Sequence, residues 1–177
     1  MKPATPLALI TLVVLSYAGA LPGGQALAQD KQRVSYKVAA ENTKYLQRHI
    51  LEVGDQPGHQ VGLFEIHRIF PTDAPVINGV KLKESWSRGV NDYVNGNGTS
   101  TNYSIYVLED GDRFFTVSTT MGHADAAGKR TTTGVGHIIG GTGKLVGMQG
   151  LLRTSGVSDA TVGLNEQQVE LEYWFAK

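Results

Sequence analysis

The sequence predicts an all-β protein whose strands close into an eight-stranded antiparallel barrel. Segments with alternating apolar and polar residues recur between Pro, Gly, Asn and Asp turn signals, at the spacing typical of barrels and sandwiches. The connections are too short for the crossover helices that parallel strands need. A closed barrel has no exposed edges, so we favour a barrel and keep a sandwich as the second choice.

Turn chemistry explains each break between the predicted strands. "EDGD" places Asp110-Gly111 in a tight hairpin, and the Pro-Gly pair makes "DQPGH" a turn. "PTDAPVING" is a loop because Pro cannot donate to a ladder. The tip "NDYVNGNG" spans 91–98. The predicted strands are 44–53, 60–70, 80–90, 100–109, 112–121, 130–139, 149–157 and 167–175.

The N-terminus has the features of a secretory signal peptide. A positively charged start precedes an apolar run over 7–17, and a small-x-small pattern ends at Ala28. We therefore expect residues 1–28 to be cleaved. Residues 29–43 are predicted to be flexible, and 44–177 to form a single β-barrel domain. Export to a bacterial periplasm or to the medium follows.

Charge and composition exclude several classes of function. Sixteen Lys and Arg balance sixteen Asp and Glu, which argues against a nucleic-acid or anionic-membrane partner. The chain has no cysteine, so thiol chemistry, disulfides and thiolate metal sites are excluded. The five histidines lack metal-binding spacing, and a site assembled from separate strands is the alternative. We predict no metal and no cofactor.

The glycine-rich segment "HIIGGTGKLVGMQG", residues 137–150, invites comparison with a phosphate-binding loop. Such a loop needs a glycine where this chain has Ile138, and a Ser or Thr where it has Leu145. No helix of useful length is expected after it. The segment is therefore predicted to turn a corner between two strands.

Three segments resemble one known family. "IIGGTGKLVGMQG" resembles the glycine-rich corner of allene oxide cyclases and dirigent-like barrels. "LFEIHRIFPTDAP" resembles an early strand of that family, and "VELEYWFAK" its aromatic last strand. The order of the segments agrees, and the resemblance spans 62–175. It implies an allene-oxide-cyclase-like, calycin-like barrel with room for one small ligand, and a homotrimer or other homo-oligomer.

The resemblance also implies a catalytic pair. Glu65 matches the family's catalytic glutamate and His67 its asparagine, and both positions face the family's cavity. Strand alternation alone leaves the interior face open, and the resemblance selects the face of Leu63, Glu65 and His67. An acid and an imidazole in an apolar interior suit acid–base catalysis or stabilisation of positive charge. The alternative is that both side chains point to solvent, or that His67 merely pairs with Glu65.

Further residues are predicted to bind substrate. Glu84, Trp86 and Arg88 share a face, which indicates a cavity wall with one aromatic surface and a self-satisfied charge pair. A surface ion pair at the barrel mouth is the equal alternative. Tyr103 is expected to point inward with its hydroxyl available. The predicted substrate-binding residues are Leu63, Pro75, Glu84, Trp86, Arg88 and Tyr103.

Three functions remain open. The resemblance implies a cofactor-free isomerase or cyclase that confines an apolar, oxygenated substrate and steadies a developing cation with the Glu65 carboxylate. The alternative is a non-catalytic secreted barrel that binds an apolar or aromatic ligand or guides coupling, as dirigent proteins do. The third is a structural envelope domain, whose lumen would be smaller than the ~300 Å³ of usual ligand pockets.

Overall fold

A computed structural model describes residues 30–159 and 162–176. The predicted signal peptide, residues 1–28, lies outside this part of the chain. No helix within the described ranges has the length and hydrophobicity needed to cross a membrane. The described residues form ten strands: β1 (Gln32–Val38), β2 (Thr43–Glu52), β3 (His59–Ile69), β4 (Val76–Ile77), β5 (Val80–Val94), β6 (Asn97–Leu108), β7 (Arg113–Ala124), β8 (Arg130–Gly141), β9 (Met148–Asp159) and β10 (Leu164–Phe175).

The strands form one antiparallel sheet in the order β1-β10-β9-β8-β7-β6-β5-β3-β2, with the short β4 beside β5. The all-β, antiparallel prediction is confirmed. The closed eight-stranded barrel is wrong in strand number and in closure, because no ladder in the described residues joins β1 to β2. These edge strands are linked only by residues 39–42, a span of at most about 19 Å. The sheet must therefore curl until its two edges lie near each other.

The additional strands come from segments predicted to be irregular. β1 lies within 29–43, predicted to be flexible, and pairs with β10 along its whole length. It is ordered there because Val34, Tyr36 and Val38 alternate along one face, which adds apolar surface to the interior. At the other hairpin, β5 runs on to Val94. The predicted tip 91–98 thus shortens to a turn at Asn95-Gly96, where both residues have positive φ, 50° and 80°.

Two β-bulges change which residues face the interior. Successive strand residues alternate between faces, so one extra residue reverses the alternation beyond it. In β2 the register shifts between Tyr45 and Gln47, and as a result Tyr45 and Arg48 both face inward. In β5 the register shifts between Leu82 and Glu84. Leu82 is consequently buried in the core, whereas the side chain of Glu84 lies on the outer face.

The apolar core fills only one end of the curled sheet. The glycine-rich segment crosses this end: β8 stops at Gly141, a 3-10 turn follows over Gly143–Leu145, and Leu145 is 0% exposed. The segment connects neighbouring antiparallel strands, as the sequence predicts. The Tyr173 hydroxyl donates to Oε1 of Gln32 at 2.7 Å. The buried core residues are Ile77, Leu82, Leu108, Phe114, Ile138, Leu145, Met148, Leu152, Val169, Leu171 and Tyr173.

Candidate ligand-binding site

Beyond the apolar core, the inner face of the sheet encloses a cavity of about 590 Å³. Small side chains make this room. Ser87 of β5 pairs with Ser104 of β6, and Ser104 pairs with Thr116 of β7, so three neighbouring strands present short hydroxyl side chains in one row. Asn102 and Ser118 form the next row. Large apolar residues at these positions would have extended the core and filled the space.

The cavity wall is rich in hydrogen-bonding groups. The Ser87 and Ser104 hydroxyl oxygens lie 2.8 Å apart, and Nδ2 of Asn102 donates to Oγ1 of Thr120 at 3.3 Å. A wall of this kind suits a ligand with polar groups of its own, because a buried hydroxyl or amide needs a partner. The hydroxyl and amide side chains on the wall are Ser87, Asn91, Ser100, Asn102, Ser104, Ser118, Thr120, Thr132, Thr154, Ser158, Asn165 and Gln167.

Two tyrosines lie where the cavity meets the core, an end that we call the floor. The Tyr106 ring stacks on Phe114 with centroids 4.5 Å apart, and the Tyr36 ring meets Phe70 edge-on at 5.7 Å. Burial raises the pKa of Tyr106 and raises that of Tyr36 well above its ordinary range. Both phenols are therefore neutral at physiological pH and can donate hydrogen bonds.

Arg68 carries a positive charge to the floor. It follows Phe64 and Ile66 on the inner face of β3, and its ladder row runs through Ser85 and Tyr106. Nη1 of Arg68 donates to the Ser87 hydroxyl at 3.4 Å. Nε of Arg68 is buried with no hydrogen-bond partner among the described residues, and no described carboxylate forms an ion pair with it.

Arg130, the first residue of β8, contributes a second cation to the wall. Its guanidinium carbon lies 3.8 Å from the centroid of the Tyr93 ring, a cation–π contact. Its Nε is also buried without a hydrogen-bond partner in the described part of the chain. The guanidinium packs over Gly122, where a β-carbon would lie 2.5 Å from Nη2. Gly122 thus provides the space that Arg130 occupies.

Glu65 and His67 do not face this cavity, which corrects the predicted orientation. Glu65 accepts a 2.6 Å hydrogen bond from Nε of Arg88 on the outer face of the sheet. The cavity is lined instead by their β3 neighbours Phe64, Ile66 and Arg68. The resemblance therefore selected the wrong face of β3 as the interior. The catalytic role of Glu65 and His67 itself stays a prediction.

Next to this pair, the outer face carries a network of self-satisfied polar groups. His67 hydrogen-bonds Oε2 of Glu84 through Nε2 at 2.8 Å, and its ring stacks on Trp86 with centroids 4.1 Å apart. The hydrogen bond from His67 lowers the pKa of Glu84. The Arg88 guanidinium lies 5.6 Å from the Trp86 ring centroid. Glu84 therefore pairs with His67 and Arg88 pairs with Glu65, so the predicted pairing of Glu84 with Arg88 is wrong.

The remaining predicted substrate-binding residues also lie away from the cavity. Leu63 and Tyr103 are each 58% exposed on the outer face. Pro75 is buried in the loop before β4, where its carbonyl accepts a 2.8 Å hydrogen bond from the backbone of Leu82. None of the six predicted residues is among those that line the described cavity.

The cavity residues follow a pattern that is visible in the sequence. In β6 and β7 the inner-face positions carry Ser, Asn and Thr at every second residue, from Ser100 to Ser104 and from Thr116 to Thr120. Small polar residues repeated on one strand face indicate a hydrated or ligand-filled interior, since a packed core uses large apolar side chains. Arg68 lies on the corresponding face of β3.

No described residues form a metal centre. In residues 30–159 and 162–176, no group of three or more His, Asp and Glu side chains is placed to hold an ion.

Comparison with known proteins does not establish a family. No family model matches the chain, and no curated protein matches it. Among solved structures, a pyocyanin demethylase is similar with 16% identity over 78% of this chain and 99% of the other, at a TM-score of 0.39. A TM-score of this size establishes neither a common family nor a common function. The resemblance to allene oxide cyclases and dirigent-like barrels therefore stays a prediction.

Proposed function

We propose that this protein binds a small organic molecule inside the curled sheet. The observation that carries the proposal is the abrupt change along the inner face, from a packed core to a cavity of about 590 Å³ lined by hydroxyls, amides and arginines. This volume falls within the range of small-molecule sites and exceeds the ~300 Å³ below which a lumen has no room for a ligand.

The wall favours a planar ligand that carries polar groups. Phe64 and Tyr93 present aromatic surface, and ring faces stack well on flat molecules. The hydroxyl and amide groups around them disfavour a purely apolar ligand, because such a ligand would leave them without partners. The predicted apolar or aromatic ligand thus becomes, in our proposal, an aromatic one with hydrogen-bonding substituents.

We favour ligand binding without catalysis over isomerisation or cyclisation. The catalytic hypothesis needs a carboxylate beside the substrate, and the Glu65 carboxylate lies on the other face of the sheet from the cavity. The carboxylate found among the described lining residues is Glu166, whose residue is exposed. An exposed carboxylate is solvated and lacks the water-poor setting that strengthens charge stabilisation. A secreted ligand-binding protein needs no such group.

A pair of neighbouring substitutions tests the proposal. Ser118 lines the cavity, whereas Thr119 is exposed on the opposite face of β7. Ser118→Trp should fill the cavity, and Thr119→Trp should leave it open. With 2-naphthol as the probe, we expect amide NMR shifts at cavity residues in the wild type and in Thr119→Trp, and none in Ser118→Trp. Shifts confined to the outer face, or equal binding by both variants, would refute the proposal.

We also propose that copies of the chain associate through the outer face of the sheet. Leu63 pairs with Val90 in the β3–β5 ladder, and Tyr103 pairs with Val117 in the β6–β7 ladder, so apolar side chains adjoin across several strands. Leu63, Val90 and Tyr103 are all exposed. A patch that crosses strands in this way is typical of a protein–protein contact. The paired Glu65 and Arg88 within it leave no net charge to oppose self-association.

A further inference from the structure

We infer that the ligand is an organic carboxylate and that Arg68 binds its carboxylate group at the floor of the cavity. This inference rests on the proposed function, since it names the chemical class that the same cavity accepts. The observation behind it is a cation whose Nε is buried and which no described carboxylate balances.

Arg68 as a whole is half-buried, and a cation in a partly enclosed site without a counter-charge is less well solvated than one on the surface. The contact that Arg68 makes with Ser87 is long, 3.4 Å, and the serine hydroxyl is neutral. It cannot balance the positive charge. An anion that enters the cavity would balance it, so the favourable free energy of pairing becomes available to binding.

The geometry selects a carboxylate. The two terminal nitrogens of a guanidinium form a planar edge that matches the two oxygens of a carboxylate, and the pair makes two parallel charge-assisted hydrogen bonds. Nε of Arg68 has no partner, and its Nη1 has only the weak contact with Ser87. A carboxylate on the inner side of β3 can use the Nη1–Nη2 edge, since Nη2 has no hydrogen-bond partner among the described residues.

The surroundings of Arg68 fit the rest of such a ligand. Tyr36 and Tyr106 lie close enough for the Arg68 charge to counteract in part the burial that raises their pKa values. Tyr106, which lines the cavity, stays protonated and can donate a further hydrogen bond to a carboxylate oxygen. Phe64, four residues before Arg68 on the same face of β3, offers a ring face to a planar body attached to the carboxylate.

Arg130 is the competing anchor, because its Nε is also buried and unpartnered in the described chain. Its guanidinium, however, already stacks on Tyr93, which satisfies part of its charge. Arg68 has no such aromatic partner among the described contacts. We therefore assign the carboxylate to Arg68.

Matched probes of equal size separate charge recognition from simple filling of the cavity. We would titrate 2-naphthoate and its neutral counterpart 2-naphthamide into the wild type, in a chloride-free buffer, and follow binding by calorimetry and amide NMR. We expect 2-naphthoate to bind at least about tenfold more tightly, as a charge-assisted pair implies. In Arg68→Gln this preference should disappear while 2-naphthamide still binds. Arg153→Gln, which removes an exposed arginine of β9, should behave as the wild type.

Each other outcome has a definite meaning. Equal binding of both probes in the wild type would overturn the carboxylate inference and leave the proposed function standing. A preference that survives Arg68→Gln and disappears in Arg130→Gln would overturn the assignment to Arg68. If neither probe shifts cavity resonances, both the inference and the proposed function fail. Retained 2-naphthamide binding and an unchanged NMR spectrum away from the cavity show that Arg68→Gln is folded; Arg68→Lys, which keeps the charge, should retain part of the preference.

Discussion

Oε2 of Glu65 accepts a 2.6 Å hydrogen bond from Nε of Arg88, and both side chains lie on the outer face of the sheet. Arg88 is 53% exposed, so solvent screens the pair. We predict that Glu65→Gln leaves the affinity of cavity probes unchanged and lowers the free energy of unfolding by about 1 kcal/mol or less. Urea unfolding and titration with 2-naphthol measure the two effects. A large loss of affinity would show that Glu65 takes part in ligand binding.

His59 forms a pH-dependent contact between the start of β3 and the end of β5. Its Nδ1 lies 2.6 Å from Oδ1 of Asp55 and its Nε2 lies 2.8 Å from Oδ1 of Asp92. The hydrogen bonds to Asp92 and then Asp55 raise the pKa of His59. A folded-state pKa above the unfolded value of about 6.5 means that these contacts stabilise the fold fully below that value. Their contribution is lost as the pH rises through the raised pKa.

We therefore predict that wild type and His59→Gln differ more in stability near pH ~6 than near pH ~9. The hydrogen bond from His59 lowers the pKa of Asp55, so that carboxylate stays ionised at the lower pH. Urea midpoints measured for both proteins across this range provide the check. A difference between the two proteins that grows with rising pH would contradict the assignment, since it would require a lowered pKa for His59.

The turns of this fold were predictable because their chemistry is local. The Asp110-Gly111 hairpin joins β6 to β7 as expected, with a φ of 90° at Gly111 that favours glycine. The face of the last strand was predictable as well: Val169, Leu171 and Tyr173 are buried, as their alternation indicates. In each case a few neighbouring residues carry all the information.

The interior face of β3 and β5 was not predictable from alternation. In β3 both faces carry apolar residues and charges, with Leu63 and Glu65 on one and Phe64 and Arg68 on the other, so the pattern has no preferred side. In β5 the extra residue at the bulge separates Leu82 from Glu84, which a regular strand would place on one face. Bulges depend on the partner strand, and a single strand's sequence does not show them.

The same substitution at two inner-face glycines should destabilise the protein by different amounts. At Gly122 a methyl group would meet the end of the flexible Arg130 side chain, whereas at Gly136 it would lie 2.5 Å from the carbonyl oxygen of Val117. A side-chain end can move, and a strand backbone cannot move without breaking its ladder. We predict that Gly136→Ala costs about 1–3 kcal/mol of stability and Gly122→Ala about 1 kcal/mol or less.

Urea unfolding compares the two variants directly, and NMR reports the fate of Arg130. In the wild type the Arg130 side-chain resonances should be shifted by the Tyr93 ring current, since the guanidinium lies over that ring. Gly122→Ala should remove this shift and Gly136→Ala should keep it. Equal destabilisation by both substitutions would show that Arg130 is held as rigidly as the backbone.

The outer apolar face yields a prediction about assembly. Tyr103 of β6 and Val135 of β8 are 58% and 64% exposed. They lie near each other on the outer face, because Thr101, two residues from Tyr103, pairs with Thr119 of β7, and Thr119 pairs with Val135. If copies of the chain associate here, a lysine at either position would have to be buried without a partner, which is strongly unfavourable.

We predict that the wild type elutes at more than the mass of one chain in size-exclusion chromatography with light scattering, and that Tyr103→Lys and Val135→Lys shift it toward a single chain. Glu170→Lys is a matched control, because Glu170 is exposed on β10, outside this patch, and should leave the mass unchanged. A wild type that stays monomeric at micromolar concentration would contradict the proposed association. Because the cavity opens on the other face of the sheet, 2-naphthol binding should survive both patch substitutions, which separates loss of assembly from loss of fold.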